Sequence, residues 1–196
     1  MSAVHLVTLA DCAAQPWRNG GGVTHDLLAW PPGQTPWQLR VSVATIARDG
    51  PFSNFDGVQR WFTVLSGAGV RLHWPFSDVR LLPDDPPLGF DGGYAPGCSL
   101  LGGATRDLNF MALQRAGRAR MMSAAAGQTL TGQHRWRGVY TAAPALLQTP
   151  GRQHPLAAHS LAWTGAADLD PDTDTDAGPW TLTDPTGPAW WLTLEA

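Results

Sequence analysis

The sequence predicts an all-β protein, and three features of its composition and patterning support this prediction. Its 196 residues include 22 Gly, 17 Pro and 10 Trp, a composition typical of chains with many turns and extensive aromatic packing. Short segments of alternating apolar and polar residues recur, whereas Gly or Pro interrupts most windows long enough for a helix. So many short strands at regular spacing predict a barrel or a sandwich with very little helix.

The predicted strands follow one another along the chain with turn residues between them. Alternation is clear in Trp37–Val43 and again in Val70–Trp74. Arg60–Gly67 is apolar on both faces, which predicts a central strand covered on both sides. Gly67–Gly69 is predicted to join that strand to the next as a hairpin turn. The remaining predicted strands are His5–Leu9, Val23–Trp30, Val79–Leu82, Ser99–Gly102, Leu108–Leu113, Arg118–Ala124, Gly138–Thr141, Leu156–Trp163, Trp180–Thr183 and Trp190–Leu194.

Two segments depart from the strand pattern. Ala10–Ala14, which Asp11 opens, is the best candidate for a short helix. Asp168–Asp176 has Asp at every second position, which suggests a calcium-binding loop. That reading fails because Ala177 takes the place of the turn glycine and Thr183 that of the final Glu. We therefore predict a solvated, self-repelling loop here.

Charge and composition exclude several classes of function. All 13 basic residues are Arg, so Schiff-base and P-loop lysine chemistry are impossible. A formal net charge of -3 gives no basic surplus for binding nucleic acid. There is no signal-peptide pattern and no apolar run of about 18 residues, which predicts no association with a membrane. Cys12 and Cys98 form no CxxC motif, and reduced thiols in a cytoplasmic protein are expected.

The chain carries no clear metal, nucleophile or phosphate motif. Its six His form neither HxH nor HExxH, so we predict no metal and no cofactor, with a site of scattered His as the alternative. Ser99 lies in GCSLLG, where Leu101 replaces the second Gly of a nucleophile elbow. Gly20–Gly22, within QPWRNGGGVTHDLLAW, precede a predicted strand, which argues against a phosphate-binding loop. They form either a turn or bulge, or a close approach of the backbone to a ligand.

Polar residues on predicted strands indicate a site for an anion. Arg40 and Ser42 share one face of a strand, and Asp107 and Asn109 share one face of another. Such a face is either solvated on the outside of a sheet or, in a barrel, directed into the lumen. Arginine suits bidentate binding of a carboxylate.

Three sequence blocks resemble the HutD/Ves family. They occur in order between Pro16 and Met111 and read PWRNGGGVTHDL, LRVSVATIARDGPFSNFDGVQRWFTVLSGAGVRL and LLGGATRDLNFM. The resemblance implies a cupin-like double β-barrel (a bicupin) in one chain, with an N-terminal lobe over 1–115 and a C-terminal lobe over 116–196. Two departures are Arg18, where the family often has Lys, and Asp56, where it often has Pro.

The resemblance also implies a function. It suggests a non-enzymatic bacterial protein that binds a carboxylate metabolite, such as urocanate or N-formylglutamate, and regulates histidine utilisation. Ves-type members are instead labelled as stress- or cold-induced. The alternatives are a cupin-type isomerase or lyase and a stress-induced protein that acts through a protein partner. The ten Trp residues also leave a homodimer interface open.

The predicted site holds a small anionic metabolite in the N-terminal lobe, with no catalytic residue. Arg40 and Arg60 are expected to hold its carboxylate, and Asp107 to orient an arginine rather than touch the ligand. The complete set of expected ligand-binding residues is Trp17, Arg18, Asn19, Gly20, Gly21, Gly22, Arg40, Ser42, Phe52, Arg60, Asp107 and Asn109.

Overall fold

Strands make up nearly all of the regular structure in the computed structural model, which describes residues 3–165 and 178–196. The strands are β1 (His5–Thr8), β2 (Ala14–Pro16), β3 (Gly22–Trp30), β4 (Leu39–Ile46), β5 (Gly50–Pro51), β6 (Val58–Ser66), β7 (Val70–Trp74), β8 (Ser77–Leu81), β9 (Leu88–Asp91), β10 (Gly97–Leu100), β11 (Thr105–Leu113), β12 (Arg118–Ser123), β13 (Thr129–Leu130), β14 (Trp136–Thr141), β15 (Ala145–Thr149), β16 (Arg152–Leu156), β17 (Ser160–Gly165), β18 (Trp180–Thr183) and β19 (Ala189–Glu195). The helical elements of these residues are three short 3-10 turns, at Leu9–Asp11, Gly92–Tyr94 and Gln114–Ala116. The predicted all-β class with very little helix is confirmed, and the predicted loop Asp168–Asp176 lies outside the described residues.

Two compact units divide the chain. The N-terminal unit contains residues 12–116, and the C-terminal unit combines the residues up to Asp11 with those from Gly117 onward. Strand β1 belongs to the C-terminal unit because it pairs antiparallel with β17, with His5 opposite Trp163. The rings of these two residues stack with their centroids 4.3 Å apart. Strand β1 thus packs with a strand far along the chain, which no local pattern in the sequence suggested.

The N-terminal unit is built from two antiparallel sheets. The six-stranded sheet has the order β2-β3-β4-β11-β6-β9, and the four-stranded sheet has the order β5-β10-β7-β8. Phe62 and Val64 of the first sheet pack with Leu72 and Leu81 of the second in one buried apolar cluster. Burial of these side chains is the main favourable term that holds the two sheets together.

The C-terminal unit repeats this construction. Its five-stranded sheet has the order β1-β17-β14-β19-β12, and its four-stranded sheet has the order β13-β18-β15-β16. Val139 and Trp191 of the larger sheet pack with Leu147 and Leu182 of the smaller one. Within the described ranges, the strand pairings of the two units form four separate sheets and close no barrel. The closed double barrel therefore stays a prediction.

The sequence pattern placed most strands but misassigned three segments. Leu156–Trp163 is two strands rather than one, because the chain turns after β16 and His159 adopts a φ of 55°. The predicted helix Ala10–Ala14 is wrong, since the 3-10 turn ends at Asp11 and Ala14 pairs with His25 as part of β2. The observed strands that the pattern missed are β2, β5, β9, β13 and β15.

The third misassigned segment is the predicted hairpin at Gly67–Gly69. Strand β6 lies between β11 and β9 in the six-stranded sheet, as expected of an interior strand, whereas β7 belongs to the four-stranded sheet. The three residues therefore carry the chain from one sheet to the other. Gly67 and Gly69 make this possible with φ angles of 98° and 95°, a region in which residues with a Cβ are strained.

Replacing Gly69 with alanine should destabilise the protein by about 3 kcal/mol, because positive φ and a steric clash act together. A Cβ at this position would collide with the carbonyl oxygen of Leu81. Gly103→Ala is the matched control, since Gly103 has a φ of 83° but nothing within 4 Å of its added Cβ. We expect Gly103→Ala to lower the free energy of unfolding by about 1 kcal/mol. Urea denaturation measures the free energy of unfolding of both variants. An equal loss of stability in the two would contradict the clash at Gly69.

Candidate functional site

One face of the six-stranded sheet carries most of the polar side chains that the sequence singled out. Directly paired residues of neighbouring strands project to the same face, and so do residues two apart on one strand. The register of β4, β11 and β6 therefore aligns two cross-strand rows on this face. The rows are Arg40–Met111–Arg60 and Ser42–Asn109–Phe62.

A cavity of about 470 Å³ opens over these two rows. Ser42 is only 2% exposed, so this face lines the cavity rather than the solvated outside of the sheet. The expected ligand-binding residues that line the cavity are Trp17, Arg18, Asn19, Arg40, Ser42, Phe52, Arg60 and Asn109. The lining residues that the sequence pattern did not single out are Gln15, Pro16, Thr24, Ala44, Pro51, Ser53, Phe55 and Met111.

Arg60 is the most deeply buried cation of the cavity, with 8% of its surface exposed. Its Nε and Nη2 donate hydrogen bonds to Oδ1 of Asn109 at 3.2 and 2.8 Å. The guanidinium carbon lies 4.4 Å from the ring centroid of Phe52 and 5.4 Å from that of Phe90. These contacts orient the side chain, and the aromatic faces offer it a modest cation–π attraction.

No carboxylate of the described residues forms a salt bridge with Arg60, and the negative charge that acts on it from Asp107 does so without a hydrogen bond. Its Nη1 is buried and has no hydrogen-bond partner, and its neighbour Asn109 is neutral. Burial lowers the pKa of Arg60 to about 10, and the nearby charge of Arg40 acts in the same direction. A buried cation that is not paired is costly, so this guanidinium is suited to receive an anion from outside the chain.

Arg40 has a different electrostatic environment, although it lies in the same row. Its Nε donates to Oδ1 of Asp26 at 2.7 Å, and its Nη2 lies 2.5 Å from the same oxygen. Gln15 donates a further hydrogen bond to Oδ2 of Asp26 at 3.2 Å. Arg40 was expected to share a carboxylate ligand with Arg60, but its charge is already balanced within the protein. The sequence pattern did not single out Asp26, which the register places opposite Ser42.

Asp107 lies on the same face, in the row next to Asn109, and does not line the cavity. The register places it between Ala44 and Val64, and it is 0% exposed. Its Oδ2 accepts a hydrogen bond from Thr105 at 3.0 Å, while Oδ1 has no partner. Burial raises the pKa of Asp107 to about 7, although the Thr105 hydrogen bond and the Arg60 charge oppose this shift. Among the residues that line the cavity, Arg40 has a hydrogen-bonded carboxylate partner, and that partner is Asp26 rather than Asp107.

The three glycines form a turn beside the cavity and do not line it. The turn is closed by hydrogen bonds from Trp17 N to Gly22 O at 2.9 Å and from Gly20 N to Trp17 O at 3.0 Å. Gly20 has a φ of 66°, and a Cβ on Gly22 would collide with the carbonyl oxygen of Thr45. Turn geometry and close packing against β4 therefore account for glycine at these two positions. The turn places the residues before it at the edge of the cavity.

Two other classes of site are not formed by the described residues. Within residues 3–165 and 178–196, no group of three or more His, Cys, Asp or Glu residues is placed to hold a metal ion. The same residues form no helix that is long and apolar enough to cross a membrane.

Several known proteins resemble this chain in sequence. Residues 9–178 match the model of the HutD family. An uncharacterized 21.2 kDa protein in the hutC 3′ region of Pseudomonas putida is 40% identical over 123 residues, which cover 62% of this chain and 64% of that protein. Protein Ves of Citrobacter koseri is 36% identical over 96 residues, or 48% of this chain and 50% of Ves. The chain thus matches less than two thirds of the length of these curated relatives.

Solved structures extend the similarity to the whole chain. A conserved protein of unknown function from Pseudomonas aeruginosa PAO1 has a TM-score of 0.85 and 26% identity, and the match covers 100% of both chains. HutD from Pseudomonas fluorescens SBW25, in a structure described as a formate condition, has a TM-score of 0.82 and 26% identity over 98% of each chain. A 2-hydroxyethylphosphonate dioxygenase matches with a TM-score of 0.68 and 10% identity. That match covers 100% of this chain and 79% of the dioxygenase chain. This last likeness supports a cupin-like fold and nothing more. With most of its length matched by the family model, the chain belongs to the HutD family.

Proposed function

We propose that this protein binds a small carboxylate metabolite in the cavity of the N-terminal unit, with Arg60 as its principal anion-binding residue. The observation that carries the proposal is the buried Nη1 of Arg60, which has no hydrogen-bond partner, on a guanidinium that no carboxylate of the described residues hydrogen-bonds. A ligand carboxylate would accept the missing hydrogen bond and supply the counter-charge. Hydrogen bonds between ionised groups are about twice as strong as neutral ones.

The surroundings of Arg60 suit a planar or flexible organic acid. Asn109 uses its carbonyl oxygen to hold Arg60, which leaves its amide nitrogen as a donor for the ligand. Ser42 on the neighbouring strand offers a hydroxyl, and Phe52 and Trp17 provide apolar walls. Arg18 is exposed at the edge of the cavity. A volume of about 470 Å³ is within the range typical of small-molecule sites.

The chemistry of the lining favours binding over catalysis. General acid–base catalysis needs a group such as His, Asp, Glu, Tyr, Cys or Lys beside the substrate. The described residues that line the cavity include none of these side chains. A cupin-type isomerase or lyase is therefore the weaker candidate for this cavity.

The name of the family and the gene position of one relative support our choice of ligand class. The family is named HutD, and the Pseudomonas putida relative is described by its position in the hutC 3′ region. We propose a carboxylate of histidine catabolism, urocanate or N-formylglutamate, and a regulatory role in histidine utilisation in the cytoplasm. The proposal includes two cupin-like barrels, of which the N-terminal one holds the ligand.

Calorimetric titration of the purified protein with urocanate, N-formylglutamate, histidine and formate tests this function. We expect saturable, one-to-one binding of at least one of the acids, and weaker binding of formate because it fills only the position beside Arg60. Histidine is the control for charge, since its ammonium group would lie near a buried cation. Absence of heat with all four compounds, in protein shown to be folded by circular dichroism, would contradict the proposal and favour a protein partner.

A further inference from the structure

Outside the cavity, three polar side chains of the four-stranded sheet of the N-terminal unit form a continuous hydrogen-bonded chain. The Nδ1 of His73 lies 3.0 Å from Oδ1 of Asp78, and its Nε2 lies 3.0 Å from Oγ of Ser99. One ring nitrogen thus faces a carboxylate and the other a hydroxyl. A base that contacts a nucleophile on one side and an orienting carboxylate on the other is the arrangement of hydrolytic triads on several unrelated folds.

The register of the sheet explains how the three residues meet. His73 on β7 is directly opposite Asp78 on β8 and opposite Gly97 on β10. Ser99 lies two residues beyond Gly97, on the same face. Because Gly97 has no side chain, the imidazole can lean across β10 towards the serine. An added Cβ on Gly97 would meet His73 only at ordinary contact distances, 3.7 Å from its Cβ and 4.0 Å from its Cδ2, so a side chain larger than a methyl group would be needed to displace the ring.

The same face supplies a cation beside the serine. Arg71 on β7 is directly opposite Ser99 on one side and opposite Arg80 of β8 on the other. Two like charges in direct cross-strand contact are unfavourable in themselves, and both arginines are exposed. A guanidinium next to the nucleophile can stabilise the negative oxygen that develops when a carbonyl is attacked.

We propose that Ser99, His73 and Asp78 form a hydrolytic site for small activated acyl esters, separate from the carboxylate cavity. The side chains of His73 and Asp78 are 38% and 51% exposed, so water reaches the site freely. The groups lie on an open sheet face, and little of a substrate would be enclosed there. Reactive, compact esters are therefore the expected substrates.

The reaction balances with water as the second reactant. Oγ of Ser99 attacks the acyl carbon, and its proton passes to Nε2 of His73 while Asp78 accepts the hydrogen bond from Nδ1–H. The leaving alcohol departs with the proton from Nε2, which produces an acylated serine. Water then attacks the acyl carbon, gives a proton to the same nitrogen, and releases the carboxylic acid as the proton returns to Oγ.

The experiment measures release of p-nitrophenolate from p-nitrophenyl acetate by the full chain. We expect turnover above the buffer rate, reduced at least tenfold in Ser99→Ala and in His73→Ala, and unchanged in Ser77→Ala. Ser77 is an exposed serine on the neighbouring strand β8 and serves as the matched control. Asp78→Asn should retain the hydroxyl and the imidazole yet slow the reaction, because the asparagine cannot stabilise the imidazolium.

A second measurement separates Ser99 from a histidine that reacts directly with the ester. A fluorophosphonate probe followed by peptide mass spectrometry should label Ser99 in the wild type and lose that label in His73→Ala, with both proteins shown to be folded. Equal ester hydrolysis by the wild type and Ser99→Ala would overturn the proposal. So would labelling that leaves Ser99 unmodified.

Discussion

Replacing Arg60 with methionine should weaken binding of the carboxylate ligand by well over tenfold and leave the free energy of unfolding almost unchanged. The expected loss of affinity corresponds to about 2–5 kcal/mol, the usual cost of removing one partner of a buried charged pair. The fold should tolerate the change because the protein buries this guanidinium without a salt bridge and with Nη1 unpaired. Methionine can keep the contact with Phe52 and Phe90, although Asn109 loses its two hydrogen-bond donors.

The comparison needs a matched arginine and two measurements. Arg106→Met removes an exposed arginine from β11, a strand of the same sheet, and should change neither affinity nor stability. Calorimetric titration gives the affinity, and urea denaturation gives the free energy of unfolding. Arg40→Ala should have a smaller effect than Arg60→Met on affinity, because Asp26 already balances the Arg40 charge. If Arg60→Met binds the ligand as tightly as the wild type does, Arg60 is not a ligand-binding residue.

Replacing Asp107 with asparagine should make the stability of the protein much less dependent on pH between pH 4 and pH 7. The folded state raises the pKa of Asp107 from 3.8 to about 7, so it holds the proton more tightly than the unfolded chain does. The contribution of this group to stability is therefore complete below the unfolded pKa and is lost as the pH rises through the folded value. Between these two pKa values, the free energy of unfolding falls by about 1.4 kcal/mol per pH unit.

The stability of the wild type should consequently fall relative to Asp107→Asn as the pH rises. Between pH 5 and pH 8 the difference between the two proteins should change by about 2–3 kcal/mol in favour of the variant. Urea denaturation at intervals of one pH unit measures this difference. Asp84→Asn, at an exposed carboxylate, is the control and should follow the wild type. Parallel pH profiles for the wild type and Asp107→Asn would show that Asp107 is already ionised in the folded protein at pH 5.

Much of the fold followed from the sequence because strand patterning is local. Side chains alternate with a period of two, so residue spacing alone indicated which side chains around Arg40 and Asn109 share a face. The register of β4 and β11 confirms both shared faces. The short strands that contain Gly or Pro, such as β2 and β5, were missed because their residues disrupt the alternation that marks a strand.

Strand partners could not be predicted in the same way, because pairing is not encoded locally. A Gly-Ala-Gly segment between two strands is compatible with a hairpin, yet β6 and β7 belong to different sheets. The contacts within the candidate site could not be predicted for the same reason. The Arg60–Asn109 contact joins residues 49 positions apart, and the ion pair between Arg40 and Asp26 depends on the register of β3 against β4. Strand patterning and the resemblance to a family together supplied the candidate residues, while the electrostatic difference between Arg40 and Arg60 emerged only from their contacts.

The pairing of β1 with β17 has a consequence for the order in which the protein is made. The N-terminal unit is continuous in sequence, so all its strands are available once residue 116 has left the ribosome. In the C-terminal unit, His5–Thr8 can pair only after residues 160–163 have been synthesised. Such a distant contact carries a high loop-closure entropy and forms slowly. The unit for which we propose ligand binding is therefore able to mature during translation, whereas the other unit completes its five-stranded sheet only after Ala189–Glu195 has been synthesised.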